Sequence, residues 1–523
     1  MIVNFYNQLA GLVLGKQLFK STAVVSAMTL ISRLLGFVRD TLIARLFGVD
    51  VATDAFFVAF KIANFLRRLF TEGAFAHVFV PIIAEAKQQD DSHALRQLIN
   101  KTTGTLSLWL LLLTVVGCLL APLLVWLLAP GFAWQGEQHA LSVQMLQITF
   151  PYLLFIVLVA FMGGILNAHG QFLVPALTPV FLNLSMIATA VWLAPKLAVP
   201  VTALAWGVLA GGVVQLLFQL PALARLGLLP RLQFDFQDSA VQRIIKQILP
   251  AIFSVSVTQI NLLLDTLVAS FLSVGSVSWL YYSDRLVEFP LGILGLALGT
   301  VTLPVLAKHH ADENPAGFSN AIDWSLRLAL LVGLPATIGL MVLAEPMLST
   351  LFQYHDFSLD DVHRSGESLK AYAIGLLGYL MIKVLVPGFS ARHEYQIPMR
   401  IGMYAMLVSL ALNALLVFPL AHAGLALATS LGALLNGVWL LKILIDHKVY
   451  QPSSGWLLFA GRLLLANAAL FAVLYCLVDV NWWQQWGSLA RVLNLLKWIV
   501  LGGVVYSAAL WLTGLRPSHL MVR

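Results

Sequence analysis

Apolar stretches of about 20 residues, each long enough to cross a ~30 Å hydrocarbon core as a helix, recur along this 523-residue chain with only short polar turns between them. A chain built this way has little choice of fold. In lipid every backbone N–H and C=O must find its partner inside the protein, which only helices and closed barrels achieve, and these stretches are about twice the length of a barrel strand. With 60% of residues hydrophobic and 11% charged, no stretch is left from which a soluble domain could be made.

The spans fall near 22–48, 52–86, 103–129, 139–168, 174–195, 200–224, 246–273, 277–307, 320–353, 368–390, 398–419, 424–446, 456–479 and 490–513, about fourteen helices. An even number puts both termini on one side. Sixteen loop Lys and Arg lie on that side and only Lys196, Arg364 and Arg491 on the other, so the positive-inside rule places both termini in the cytoplasm. The loop near Asp90 is then cytoplasmic and the loop near Gly136 periplasmic. The net charge of +7 belongs to this topology and to buried cations, and no basic soluble patch points to nucleic acid. Cys118 and Cys476 each lie within an apolar span, far apart, and read as packing residues. No small-residue cleavage site precedes the first span, so a cleaved signal peptide is not expected.

Against this background six basic residues stand out: Arg33, Arg39, Arg45, Lys61, Arg67 and Arg68. Facing lipid, they would cost roughly 2.5 to 3.5 kcal/mol each, on the order of 15 to 20 kcal/mol together, so they must face protein or water. A cationic, water-accessible cavity inside a membrane protein is a place to hold an anion. On the second helix Asp54, Lys61, Arg68 and Glu72 form one stripe within about 40°, with Asn64 near its edge. Arg68 and Glu72, at i and i+4, can pair, so the stripe is as well explained by helix packing as by a ligand. Arg67 points about 100° away and has no same-helix acid at i±3 or i±4, so it needs a partner elsewhere or a ligand. On the first helix Arg33 and Arg39 flank Gly36, where a bend or close approach is possible. Asp40, next in sequence to Arg39, is expected to point away from it and leave Arg39 as a second candidate cation. In the eighth helix Asp284 precedes Arg285, and Glu288 lies three residues on, a spacing that allows either a structural pair or a ligand role for Arg285.

An internal repeat is also visible. Asp, Thr, Leu and Ala of Arg39–Arg45 recur in Leu264–Ser270, and Phe79–Glu85 resembles Thr302–Lys308 at nearly the same offset. Parallel copies starting at the first and seventh helices imply two six-helix lobes, with two helices added at the end. The expected fold is therefore an all-α polytopic membrane protein, with about fourteen helices, two lobes around a central cationic cavity and a C-terminal pair. The expected segments are 1–21 N-terminal and interfacial, 22–224 N-lobe, 225–245 cytoplasmic linker, 246–446 C-lobe and 456–513 the final pair. No phosphate-binding Gly loop, zinc-type spacing or Ser-centred elbow is present, so an enzyme is not expected.

The run Ser32–Asp40, with Ala52–Lys61, Asn64–Arg68, Glu72–Phe75, Phe79–Pro81 and Tyr281–Pro290, closely resembles the MurJ (MviN) lipid II flippases of the multidrug/oligosaccharidyl-lipid/polysaccharide exporter superfamily. The resemblance covers nearly the whole chain. It implies a bacterial inner-membrane protein that moves undecaprenyl-pyrophosphate-linked peptidoglycan precursor from the inner to the outer leaflet by alternating access. Arg33, Arg39, Arg67 and Arg285 would engage the pyrophosphate and headgroup, with Ser32, Asp54, Asn64 and Glu288 as further cavity residues. The last two helices would guide the lipid tail. The chain departs from the pattern at Ala63, where related sequences often carry Pro, and in a longer N-terminal extension. Alternatives are a flippase for another lipid-linked oligosaccharide, a multidrug antiporter of the same superfamily, or a non-transporting scaffold for cell-wall assembly. No cofactor is expected. Na⁺ or H⁺ coupling and the membrane potential all remain adequate driving forces. Expected partners are lipid II and membrane lipids, with cell-wall synthesis or division proteins as candidates, and the expected functional form is a monomer.

Overall fold

A computed structural model describes residues 2–70, 79, 82–83, 85, 92–133, 136–239, 241–244, 246–247 and 263–516. The described residues are all-helical, without strands. Nine of their helices are long and apolar enough to cross a membrane, and the one from Gln396 to Asp446 contains two of the expected spans. The expected spans missing from that set are 22–48, 52–86, 246–273 and 277–307. They either carry the charges discussed above or run through residues outside the description.

The chain divides into two compact units, Met1–Leu267 and Val268–Arg523. In unit 1, helix α1 (Ile2–Phe47) is unbroken, about 70 Å long at 1.5 Å per residue, so residues 2–21 continue the first expected span rather than forming a separate element. It ends where Gly48 takes φ 57°, a conformation that favours glycine. Helix α2 (Val51–Arg68) then starts on a reciprocal cap: the Asp50 carboxylate accepts from the Thr53 N–H at 2.7 Å, and the Asp50 N–H donates to Thr53 Oγ1 at 2.7 Å. There follow α3 (Ser92–Leu119), α4 (Ala121–Leu128), α5 (Glu137–Thr149), α6 (Tyr152–Ala168), α7 (Leu173–Trp192) and α8 (Thr202–Arg225). Of the two possibilities at Gly36, a bend or a close approach, the close approach is the one seen, since α1 runs unbroken through it. Gly36 faces Asn183 of α7, whose amide would lie 3.7 Å from a β-carbon there.

Unit 2 contains α9 (Ser276–Ala311), α10 (Pro315–Val342), α11 (Ala344–Leu351), α12 (Leu359–Ser390), α13 (Gln396–Asp446), α14 (Trp456–Leu477), α15 (Trp482–Gln485) and α16 (Ser488–Leu512). Helix α13 is two helices joined at Ala421, whose φ of 46° and ψ of −128° break the spiral just after Pro419. Asp361 and Ser358 cap the start of α12 reciprocally, and the same carboxylate accepts from Trp279 Nε1 at 2.8 Å, tying the start of α9 to it. The pair α14 and α16 packs on α10 through Phe459, Leu463, Leu470, Trp498 and Tyr506 against Leu330, Leu334 and Ile338. Because lipid is as apolar as this interface, specificity comes from shape and a few polar bonds. The Tyr506 hydroxyl donates to the Leu331 carbonyl at 2.6 Å, and Trp483 Nε1 donates to Thr350 Oγ1 at 2.9 Å.

Candidate functional site

Among the sequence-predicted cations of unit 1, Arg39 sits where α1, α2 and α7 meet. Arg39 is buried, and contrary to the expectation that Asp40 points away, its Nε and Nη2 both donate to Asp40 Oδ1, at 2.9 and 2.7 Å. The long Arg stem lets the guanidinium fold back along the helix to its neighbour. In a dry interior a buried charge that leaves its counter-ion is severely penalised. Nη1 donates to Asn183 Oδ1 at 3.0 Å, and the Asn183 amide in turn donates to the Ser32 carbonyl at 3.0 Å. The guanidinium also lies 5.7 Å from the centre of the Phe60 ring on α2. Arg39 is thus a three-helix clamp. Arg33, one and a half turns earlier, is exposed, and Ser32 is half-buried.

Along α2, Asp54 is buried and Lys61 donates to Thr266 Oγ1 at 3.0 Å, within the same unit. Arg67, which has no acid at i±3 or i±4 on its helix, is oriented by Asn64, whose amide oxygen accepts from Nε at 2.8 Å. That bond unites two residues that helical spacing had treated separately. Arg68 is half-buried, while its expected partner Glu72 lies outside the described residues.

In unit 2 the i, i+3 spacing is realised: Arg285 Nη1 pairs with Glu288 Oε2. The guanidinium stacks 4.8 Å from the Tyr281 ring centre, and Asp284 beside it is half-buried. A carboxylate and a ring hold the fork in place while leaving it partly accessible. Such an arrangement presents a planar double donor to a phosphate.

Two further polar centres went unread in the sequence. Asp323 on α10 is buried and accepts from Tyr450 OH at 2.8 Å, Ser453 N–H at 3.2 Å, Ser453 Oγ at 2.7 Å and Trp456 Nε1 at 2.6 Å, and it pairs with Arg327 at 2.8 Å. The signal was there, an acid and a base four apart inside an apolar span. Arg491 was expected to be relieved at a membrane surface. It is buried instead and donates to three carbonyls, of Trp486, Ser349 and Gln353, at 3.0, 3.1 and 3.2 Å. Two of those carbonyls lie at the C-terminal end of α11, where a cation is favoured. Both cysteines are free thiols, and Cys476 is exposed on α14 rather than packed.

Long apolar helices that bury ion pairs and arginine forks define a polytopic membrane protein. The family model for lipid II flippase MurJ matches residues 43–497. A probable lipid II flippase MurJ of Vibrio cholerae is 45% identical over 97% of this chain and 98% of its own. The lipid II flippase MurJ of Burkholderia cenocepacia is 40% identical over 96% of this chain and 98% of its own. A solved lipid II flippase MurJ in an inward closed conformation superposes with TM-score 0.78 at 26% identity, covering 93% of this chain and 98% of that one. An inward-facing multidrug transporter of the MATE family, at TM-score 0.68 and 15% identity over 82% of this chain and 98% of its own, shares the fold. The chain belongs to the MurJ family of lipid II flippases, and it is a multi-pass membrane protein.

Proposed function

We propose that this protein moves lipid II from the inner to the outer leaflet of a bacterial inner membrane, with both of its termini in the cytoplasm. The observation that carries this reading is likeness to lipid II flippases along nearly the entire chain. Arg33, Arg67 and Arg285 are assigned to the anionic pyrophosphate and headgroup. Arg39 is assigned as a clamp within unit 1, since three of its nitrogens already donate to Asp40 and Asn183. Asn64 sets the direction of the Arg67 fork and Glu288 that of Arg285, while Lys61 and Asp54 belong to the same polar stripe of α2. Flipping breaks no bond, so the work is a population shift between states open to opposite sides. The final pair, α14 and α16, presents Leu457, Leu465, Leu493 and Val500 outward and is the proposed guide for the isoprenoid tail.

Reconstitution into vesicles with lipid II and a headgroup probe that reads one leaflet tests the reading. Transfer by the native protein, lost in Arg67→Ala and Arg285→Ala variants that still fold, is the expected result. Transfer equal to protein-free vesicles overturns it.

A further inference from the structure

After α8 ends at Arg225, the chain runs without helix along the N-terminal part of α3, and the way it is fastened is specific. The Arg231 N–H donates to Asn100 Oδ1 at 2.8 Å, the Gln233 N–H to the Asn100 carbonyl at 3.4 Å and the Asp235 N–H to Thr105 Oγ1 at 3.4 Å. Lys101 reaches both Asp235 and Asp238 at 2.9 Å. Every second backbone amide is therefore held on α3, as along the edge of a strand. At Gly104 the strap lies so close that a β-carbon would come within 2.2 Å of the Gln233 carbonyl oxygen.

In an extended chain alternate side chains point to opposite faces, and here the alternation is chemical. Arg231, Gln233 and Asp235 share the polar face. Leu232, Phe234 and Phe236 share the other, and they are 62%, 58% and 48% exposed. Three large apolar side chains in a row on a segment fixed at four points need an occupant.

The helix underneath says which. Thr105, which receives the Asp235 amide, begins a stripe on α3 that continues through Trp109, Leu112 and Val116 at i+4, i+7 and i+11. Those three are exposed, as lipid-facing side chains of a span are. Trp109 lies four residues beyond Thr105, about 6 Å along the axis at 1.5 Å per residue, and its indole is the type of side chain that marks a headgroup boundary. The strap therefore sits at the depth of the headgroup layer, continuous with the lipid-facing surface. Arg225 at the end of α8 and Arg231 at the start of the strap are both exposed, while Lys101 offsets charge on Asp235 and Asp238.

We propose that residues 229–236 form an interfacial anchor. In it Leu232, Phe234 and Phe236 insert into the headgroup–acyl boundary of the leaflet at this end of α3, and Arg225 and Arg231 face anionic phospholipid phosphates. The anchor fixes the depth of the connection between α8 and the following span. It rests on the membrane-spanning reading of α3, which the experiment checks separately.

The test uses the native full-length protein in vesicles of mixed zwitterionic and anionic phospholipid. The vesicles carry a phospholipid with a carbene-generating group just below its phosphate, and adducts are mapped by mass spectrometry. Adducts are expected on the 229–239 peptide and at Trp109, with fewer on the peptide when the anionic lipid is left out. Adducts at Trp109 without any on the peptide overturn the anchor. Absence from both overturns the membrane placement of α3 itself.

A second measurement places a fluorophore on single cysteines at 232, 234 or 236 in a Cys118→Ala, Cys476→Ala background. Emission should be lost to a lipid-borne quencher and spared by aqueous iodide, with the reverse at Gln237→Cys. Gly104→Ala should shift the label at 234 toward iodide, because the added methyl displaces the strap. Protection of all labels from both quenchers would mean that protein covers the face, and would overturn the assignment.

Discussion

Replacing Asp323 by Ala strikes the joint between α10 and the segment that leads into α14. The carboxylate, itself buried, gathers four hydrogen bonds and the half-buried Arg327 guanidinium. Removing it leaves the Arg327 cation and four donor groups without their carboxylate at once. Breaking a buried pair from one side costs roughly 3 to 5 kcal/mol, and the stranded donors share in that cost rather than adding fully to it. Unit 2 holds about 250 residues, a size at which 1 kcal/mol moves a melting midpoint by roughly 2 to 4 °C, so a fall on the order of 10 °C is expected. Arg327 also lies over the rings of Trp456 and Phe459, at 5.0 and 5.4 Å. An apolar residue there keeps most of that packing. Asp323→Ala with Arg327→Leu should therefore recover at least half of the lost stability, a non-additivity that a double-mutant cycle reads directly. Thermal melting of the detergent-purified protein, followed by tryptophan emission, is the assay, and Trp456 itself reports on the joint. A single-variant shift below about 2 °C, or a double variant worse than the single, would refute the reasoning.

Arg39→Lys should behave as a loss, because an ammonium cannot serve Asp40 and Asn183 together as the guanidinium does. The expected cost is about 1 to 3 kcal/mol, with Asn183→Ala moving the same way and the pair less than additive in melting experiments. Trp483→Phe removes only the bond to Thr350 and should cost about 1 kcal/mol, whereas Trp483→Ala empties a fully buried site and should cost about 3 to 5 kcal/mol. The hydrogen bond from Lys101, chiefly, holds the Asp235 carboxyl below the usual carboxylate range. A depressed pKa in the folded state contributes order to the strap above the ordinary value of about 3.9 and loses it as pH falls through the lower folded value. A nitroxide on Gln237→Cys should therefore stay immobile at neutral pH and loosen only in that acid window, and Asp235→Asn should abolish the transition.

Which helices exist was legible in the sequence because the bilayer leaves the backbone one solution. Ten of the expected spans overlap helices long and apolar enough to cross, and the i, i+3 pairing of Arg285 with Glu288 was one of the two readings its spacing allowed. The internal repeat pointed to Asp40 and Asp265 at matching positions, and both are buried. Where a reading needed the direction of a flexible side chain, it failed. Arg39 and Asp40 were assigned opposite directions from their spacing alone. Arg491 was left at a surface when its carbonyl partners, Ser349 and Gln353, lie about 140 residues earlier.

The boundary between the two kinds of knowledge is physical. Periodicity, span length and the Lys/Arg bias are one-dimensional consequences of placing a chain in lipid, and they determined the class, the approximate spans and the set of cations that had to be sheltered. What shelters each cation depends on residues distant in sequence that converge in space: Asn183 on Arg39, Thr266 on Lys61, the Tyr450–Trp456 turn on Asp323. Long stems reach any of several partners, and the choice among them rests on which helix packs alongside. Tertiary structure alone decides that.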